Sequence, residues 1–172
     1  MTKAFDNVRH SILFRKLLKR DLPSIVVRFL VYLYEIQIAK VKWNEEYSKT
    51  FRIINGVKQG AVLSAVLYCV YVDDMFKLLR KNKSGCWING EYYGAGGYAD
   101  DTILLSPSLD GLQDMINVCD EFAKEHNLTF SINENLSKCK TKCISILQNE
   151  RVIKNLSLGN HKVPWVQSFT RK

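Results

Sequence analysis

Four short stretches of this 172-residue chain carry residue types that could do chemistry together. The sharpest is Tyr98-Ala99-Asp100-Asp101, which follows Gly96-Gly97 and precedes the apolar run Thr102-Ile103-Leu104-Leu105. That context predicts a strand, a tight turn and a second strand. Side chains on consecutive strand residues point to opposite faces, so a turn is what would let both acids approach one cation. Paired carboxylates need a positive partner, and Mg²⁺, which takes oxygen ligands, is a suitable one. A solvent-exposed Asp-Asp turn is the alternative reading. A second Y-x-D-D, Tyr71-Val72-Asp73-Asp74, lies inside a helical run, where its acids are expected on the helix surface. The strand-turn-strand context, not the four letters, therefore carries the metal reading.

The second stretch is Asn55-Gly56-Val57-Lys58-Gln59-Gly60-Ala61-Val62-Leu63-Ser64. Gly56 and Gly60 bracket Lys58 and Gln59 just before a helix. Glycines permit close backbone approach, and a helix N-terminus attracts anions. Gln59 could hydrogen-bond a sugar or a base; a plain glycine-capped turn is the competing reading. The third stretch is Lys3-Ala4-Phe5-Asp6-Asn7-Val8-Arg9-His10, and the fourth is the basic cluster Lys138-Cys139-Lys140-Thr141-Lys142. A lone K-x-K-x-K face is ordinarily solvated surface.

The elements that must position these residues follow from periodicity. Asp6 to about Leu33 is helical in pattern, with Ile12, Leu13, Leu17 and Leu18 apolar and Arg15, Lys16, Lys19 and Arg20 opposite. Asp21-Leu22-Pro23-Ser24 interrupts it, and Ser24 can cap a second helix carrying Ile25, Phe29, Leu30 and Leu33. Residues 36–43 and 47–54 alternate as two strands around Asn44-Glu45-Glu46. Ala61 to Leu79 predicts a long helix with Leu63, Leu67, Val70, Met75 and Leu78 on its apolar face. Asn89-Gly90, between Trp87-Ile88 and Glu91-Tyr92, is a hairpin signal, because both turn positions need positive φ. Leu109 to His126 is an amphipathic helix, with short strands expected near Thr129–Ile132 and Thr141–Leu147. Helices mixed with mainly antiparallel strands make the fold class α+β.

Composition bounds the rest. Hydrophobic residues make up 47% and charged residues 24%, which excludes a disordered or collagen-like chain. No apolar run reaches the ~18 residues of a membrane span, and the N-terminus has no apolar signal segment, so an intracellular protein of one domain is expected. Five irregularly spaced cysteines without a C-x-x-C pair predict reduced, packed thiols rather than a zinc site. The net charge of +8 divides unevenly: +7 over residues 1–60, −4 over 61–120 and +5 over 121–172. Basic flanks around an acidic middle suit a protein that binds polyanions and holds cations; a solvated basic surface would look the same.

In order and spacing, Ala4–His10, Gly56–Ser64, Tyr98–Asp101 and Asn135–Lys140 resemble the reverse transcriptases of non-LTR (LINE-like) retrotransposons, across nearly the whole chain. The resemblance implies a polymerase palm with part of the fingers, in an incomplete right hand, and RNA-directed DNA synthesis from an RNA template, a DNA primer and dNTPs. It implies two Mg²⁺ ions, with Mn²⁺ as the alternative, held by Asp100 and more weakly by Asp101. It makes Phe5 the residue under the incoming sugar that excludes a 2′-hydroxyl. Gly56, Gln59 and Gly60 would meet nucleotide and template, Tyr98 would adjoin substrate, and Lys138 would assist the leaving pyrophosphate. The family also places a metal-binding Asp five residues before the Phe, and counting back from Phe5 puts it just ahead of Met1. The expectation is thus a single domain over 1–172, cut inside the first palm motif and before the primer grip and thumb, and defective in synthesis as it stands. The alternatives are a non-catalytic nucleic-acid-binding remnant, an inert remnant that does not fold stably, or a group II intron or retron-type reverse transcriptase. Gly96-Gly97 before the acidic turn also resembles nucleotide cyclases of palm-like fold, but Gly56–Ser64 has no use there.

Overall fold

The computed structural model describes residues 1, 3–133, 139–146 and 155–166. Its elements run α1 (His10–Leu18), α2 (Ser24–Glu35), β1 (Ile38–Ala39), β2 (Lys42–Trp43), β3 (Glu46–Tyr47), β4 (Phe51–Arg52), α3 (Val62–Lys81), β5 (Trp87–Ile88), β6 (Glu91–Tyr92), β7 (Ala95–Tyr98), β8 (Asp101–Leu104), α4 (Leu109–Glu125), β9 (Ser157–Leu158) and β10 (His161–Lys162). Among the described residues the strands form two-stranded antiparallel ribbons, so the expected mixture of helices and antiparallel strands is present. The strand expected near Thr129–Ile132 is absent, and the described part of Thr141–Leu147 contributes one parallel bridge, Cys143 to Trp165. No helix among the described residues is long and apolar enough to cross a membrane.

The chain divides into two compact units, Lys3–Asp74 and Met1–Thr2 with Met75–Lys172. In the first, α1 packs on α2, and Leu13, Leu17, Val27, Leu30 and Tyr34 are buried. Two expected faces are displaced. Helix α2 buries Val27, Leu30 and Tyr34, while Ile25 and Phe29 are exposed. It is apolar nearly all round, so composition could not choose the face that meets α1. In α1, Lys16 was expected on the polar side but is buried: its Nζ donates to the Tyr71 carbonyl at 2.7 Å and meets Asp74 at 2.9 Å.

Helix α3 buries Ser64, Leu67, Tyr68, Tyr71, Val72, Met75 and Leu79, a continuous stripe at helical spacing. Leu63 and Leu78, expected on that face, are exposed. Tyr68 and Tyr71 instead lie on the buried stripe, each ring burying a large apolar area.

In the second unit, Ser108 caps α4 by accepting from the Gly111 N–H at 3.1 Å. Ile116 of α4 joins Cys143, Leu156 and Val163 in a buried cluster, with Leu104, Leu112 and Trp165 around it. The Gln113 carboxamide fastens β9 by donating to the Ser157 carbonyl (2.8 Å) and accepting from its N–H (2.9 Å). Asn89 (φ 51°) and Gly90 (φ 83°) form the expected tight turn between β5 and β6.

Candidate functional site

In the unit Lys3–Asp74, the segments around Phe5 and Gly56 are fastened side by side, although about fifty residues separate them. Gly56 N–H donates to the Val8 carbonyl, and Val57 N–H to the Phe5 carbonyl, both at 2.8 Å. Arg9 and Asn55 form an antiparallel bridge. Gly56 has φ +91°, and a Cβ there would lie 3.0 Å from the Asp6 carbonyl oxygen and 3.2 Å from that of Phe5. Only glycine satisfies both the dihedral and the clearance. His10 completes the clasp, its Nε2 donating to the Gly56 carbonyl at 2.7 Å, which fixes the proton on that nitrogen. The sequence pointed to Gly56 and left His10 without a task.

Two further side chains of this clasp are Phe5 and Gln59. Phe5 is half-buried and stacks on the buried Tyr68, with centroids 4.9 Å apart and planes at 24°. Gln59 is exposed and its Nε2 lies 3.3 Å from Asp6 Oδ1. A cleft of about 340 Å³ opens between Gln59 and the first ribbon, lined by Asp6, Gln37, Ile38, Asn55, Gly56 and Gln59 among others. Gly60 (φ +80°) lies at the exposed entry to α3, where a Cβ would meet no neighbour, so its glycine serves conformation rather than clearance.

In the other unit, Tyr98 pairs with Asp101, which leaves Ala99-Asp100 as a two-residue turn, with Ala99 at φ +52°. The expectation of both acids in the turn is therefore refined: Asp100 is in it, and Asp101 opens β8. Asp100 is half-buried, Asp101 exposed, and Tyr98 82% exposed. The Met1 backbone nitrogen donates to the Asp100 carbonyl at 2.9 Å, which lays the start of the chain beside this turn. Behind it, Gly97 makes room for Phe76, whose ring would lie 2.6 Å from a Cβ at that position. Phe76 is a supporting residue that no motif announced.

The second Y-x-D-D acts differently. Asp73 accepts from Arg20 at 2.5 Å and Asp74 pairs with Lys16, so these acids hold α1 to α3. Among the described residues no group of three or more His, Cys, Asp or Glu side chains converges as a metal cluster. The carboxylates that could hold a hard cation, which takes one or two carboxylates from protein and the rest from water and phosphate, are Asp100 and Asp101. Lys138 and most of Asn135–Lys140 lie outside the described residues. Of the cysteines, Cys119, Cys139 and Cys143 are buried, Cys86 is half-buried and Cys69 is exposed; burial pushes the Cys119 and Cys143 thiols up to about 12 and about 11.

The family model for reverse transcriptase (RNA-dependent DNA polymerase) matches residues 1–165. Among curated proteins, the retrovirus-related Pol polyprotein from type-1 retrotransposable element R2 of Nasonia vitripennis is 27% identical over 166 residues, 94% of this chain and 16% of its own length. Its counterpart from Bradysia coprophila is 26% identical over 163 residues, 95% of this chain and 18% of that protein. The polyprotein from type-2 retrotransposable element R2DM of Drosophila melanogaster is 26% identical over 141 residues, 82% of this chain and 13% of that protein. The chain thus spans less than a fifth of the length of these relatives.

Proposed function

The chain belongs to the reverse transcriptase (RNA-dependent DNA polymerase) family, and from that premise we propose that it is the palm-bearing catalytic segment of a non-LTR, LINE-like retrotransposon enzyme. The R2 polyproteins it is similar to support the retrotransposon origin. Its substrates are an RNA template, a DNA primer and dNTPs. The observation that carries this reading is the clasp between Phe5–His10 and Gly56–Gln59. It holds a flat ring and a carboxamide on one rigid frame, which is what a site needs to test the sugar and the base of one nucleotide together.

Each residue then has a task. Phe5, backed by Tyr68, forms a floor under the sugar, and a 2′-hydroxyl collides with it. Gly56 and Gly60 let the backbone approach nucleotide and template, and Gln59 hydrogen-bonds there. Asp100, with Asp101 as the weaker partner, holds the divalent cations, and Tyr98 lies beside the primer end. Lys138 gives a proton to the departing pyrophosphate. In two-ion phosphoryl transfer the bound Mg²⁺ (or Mn²⁺) lowers the pKa of the attacking hydroxyl and neutralises charge on the triphosphate.

Two carboxylates are a thin donor set for two cations. The Met1 nitrogen donates to the Asp100 carbonyl, and the Asp that the family places five residues before the Phe would supply a third carboxylate. We expect the 172 residues alone to extend a primer poorly. Primer extension on an RNA template with Mg²⁺ tests this. A longer form with Asp ahead of Met1 should extend, and Asp100→Asn should abolish the signal. Extension that survives Asp100→Asn sinks the catalytic assignment. Asp100-dependent extension by the 172 residues alone sinks the need for a third carboxylate.

A further inference from the structure

The double ribbon from Ile38 to Arg52 serves no core. Every residue from Lys40 to Arg52 is exposed, including Trp43 (77%), Tyr47 (64%) and Phe51 (49%). Isolated two-stranded hairpins are marginal in water, and three aromatics that stay wet add little to this one. Large exposed apolar groups concentrated on one short ribbon mark an interaction surface.

The charges say for what. Lys40, Lys42, Lys49 and Arg52 stand among the aromatics, against Glu45 and Glu46 near the tip. Lys42 is directly opposite Tyr47 in the ladder, and its Nζ lies 5.7 Å from the ring centroid. Trp43 is paired with Glu46, so it projects from the other face. Protein-binding surfaces are depleted in lysine, whereas single-strand nucleic-acid sites combine aromatic platforms with a cationic track. The ribbon also begins at the cleft that Gln59 lines, since Ile38 is shared by both. Five residue steps from Ile38 to Trp43 reach roughly 17 Å, enough for a few nucleotides.

We propose that the Ile38–Arg52 ribbon is a binding surface for an unpaired nucleic-acid strand that crosses from one face to the other, with a base stacked on Trp43 at one face and on Tyr47 at the opposite one, and phosphates held by Lys40, Lys42, Lys49 and Arg52. It rests on the polymerase reading only in that nucleic acid is the substrate class. Stacking reads no sequence and no 2′-hydroxyl, so RNA and DNA single strands bind alike, and a duplex, whose bases are already stacked, gains less.

The test is equilibrium binding of the whole 172-residue chain to labelled single-stranded RNA and DNA oligonucleotides and to a duplex, without dNTPs or Mg²⁺. Trp43→Ala should weaken both single strands by about 5- to 150-fold, the range of one lost base stack. Trp43→Phe should restore most of it, and Trp87→Ala on the other aromatic hairpin should change nothing. Lys42→Gln should flatten the salt dependence by about 0.7 in log–log slope, one single-strand phosphate contact. A Trp43→Ala,Tyr47→Ala chain that melts like the parent and binds single strands within twofold of it overturns the proposal, and leaves the ribbon as a protein-docking surface. Because no synthesis is measured, either outcome leaves the Asp100 primer-extension test to decide the polymerase reading separately.

Discussion

His10 Nε2 lies 2.7 Å from the Gly56 carbonyl oxygen, while the ring packs edge-on to Tyr34 with centroids 4.8 Å apart. One side chain thus ties the segment around Phe5 to the segment around Gly56 and anchors both to α2. His10→Ala removes the hydrogen bond and the aromatic contact together. We expect a loss of about 1–3 kcal/mol, read as a lower denaturation midpoint with unchanged slope. His10→Gln, which can still donate, should recover part of it. A His10→Ala chain as stable as the parent would mean that the backbone bonds of Gly56 and Val57 suffice.

Gly97 and Gly96 are adjacent, but their surroundings differ. A Cβ on Gly97 would fall 2.6 Å from the Phe76 ring, whereas one on Gly96 would meet nothing within 4 Å. Gly97→Ala should therefore cost about 1–3 kcal/mol by overpacking, and Gly96→Ala should be neutral or slightly stabilising. Phe76→Leu combined with Gly97→Ala should recover stability beyond additivity, because the two share one contact. Additive effects would show that the ring moves aside freely.

Much of this was legible beforehand, and the failures have physical causes. Asn89-Gly90 and Leu109–Glu125 could be placed because a positive-φ turn and an amphipathic stripe are local properties. The Y-A-D-D turn was legible for the same reason. Helices α2 and α3 were located, but their buried faces only in part: Leu30, Leu67 and Met75 are buried as expected, whereas Ile25, Phe29, Leu63 and Leu78 are exposed, because both helices carry apolar residues nearly all round. The clasp of His10 on Gly56 and the support of Gly97 by Phe76 join segments far apart or faces that no period marks. Lysine 16 was misplaced because its partners, Asp74 and the Tyr71 carbonyl, lie more than fifty residues away.

Lys16 gives a test of the second Y-x-D-D. Burial lowers its pKa, and the Asp74 carboxylate beside it opposes that fall. Asp74→Asn removes the carboxylate that pairs with a buried cation and should cost about 1–3 kcal/mol. Lys16→Met, which removes the charge and keeps the volume, should cost less. The reverse ranking would show that the ammonium is held well enough without the Asp74 carboxylate.

Stability should fall above about pH 9, and Cys119 should account for part of the fall. Its thiol is pushed from 9.0 to about 12 by burial. A group whose folded pKa is raised keeps its proton in the folded chain while the unfolded chain loses it, so stability declines as pH rises through that window. One such cysteine contributes about 1 kcal/mol of loss by pH 10. Lys16, with its pKa lowered, acts in the opposite direction below 10.5, so the readout is a difference. Urea denaturation of Cys119→Ala and of the parent from pH 7 to 10 should show a shallower decline in the variant; parallel curves would clear Cys119.

Phe5 gives a prediction about selectivity. Its ring is held by Tyr68, which is only 1% exposed, at a centroid distance of 4.9 Å. If that ring is the sugar floor, its steric work depends on rigidity as well as size. Phe5→Val, in a form that polymerises, should raise incorporation of ribonucleotides relative to deoxynucleotides by about tenfold or more, since 1.4 kcal/mol of lost clash is already tenfold. Tyr68→Leu should raise the same ratio by a smaller factor, because Phe5 remains but loses its backing. The ratio isolates the effect, since a variant that is merely less stable lowers both rates together. An unchanged ratio in Phe5→Val would remove the ring from the sugar site.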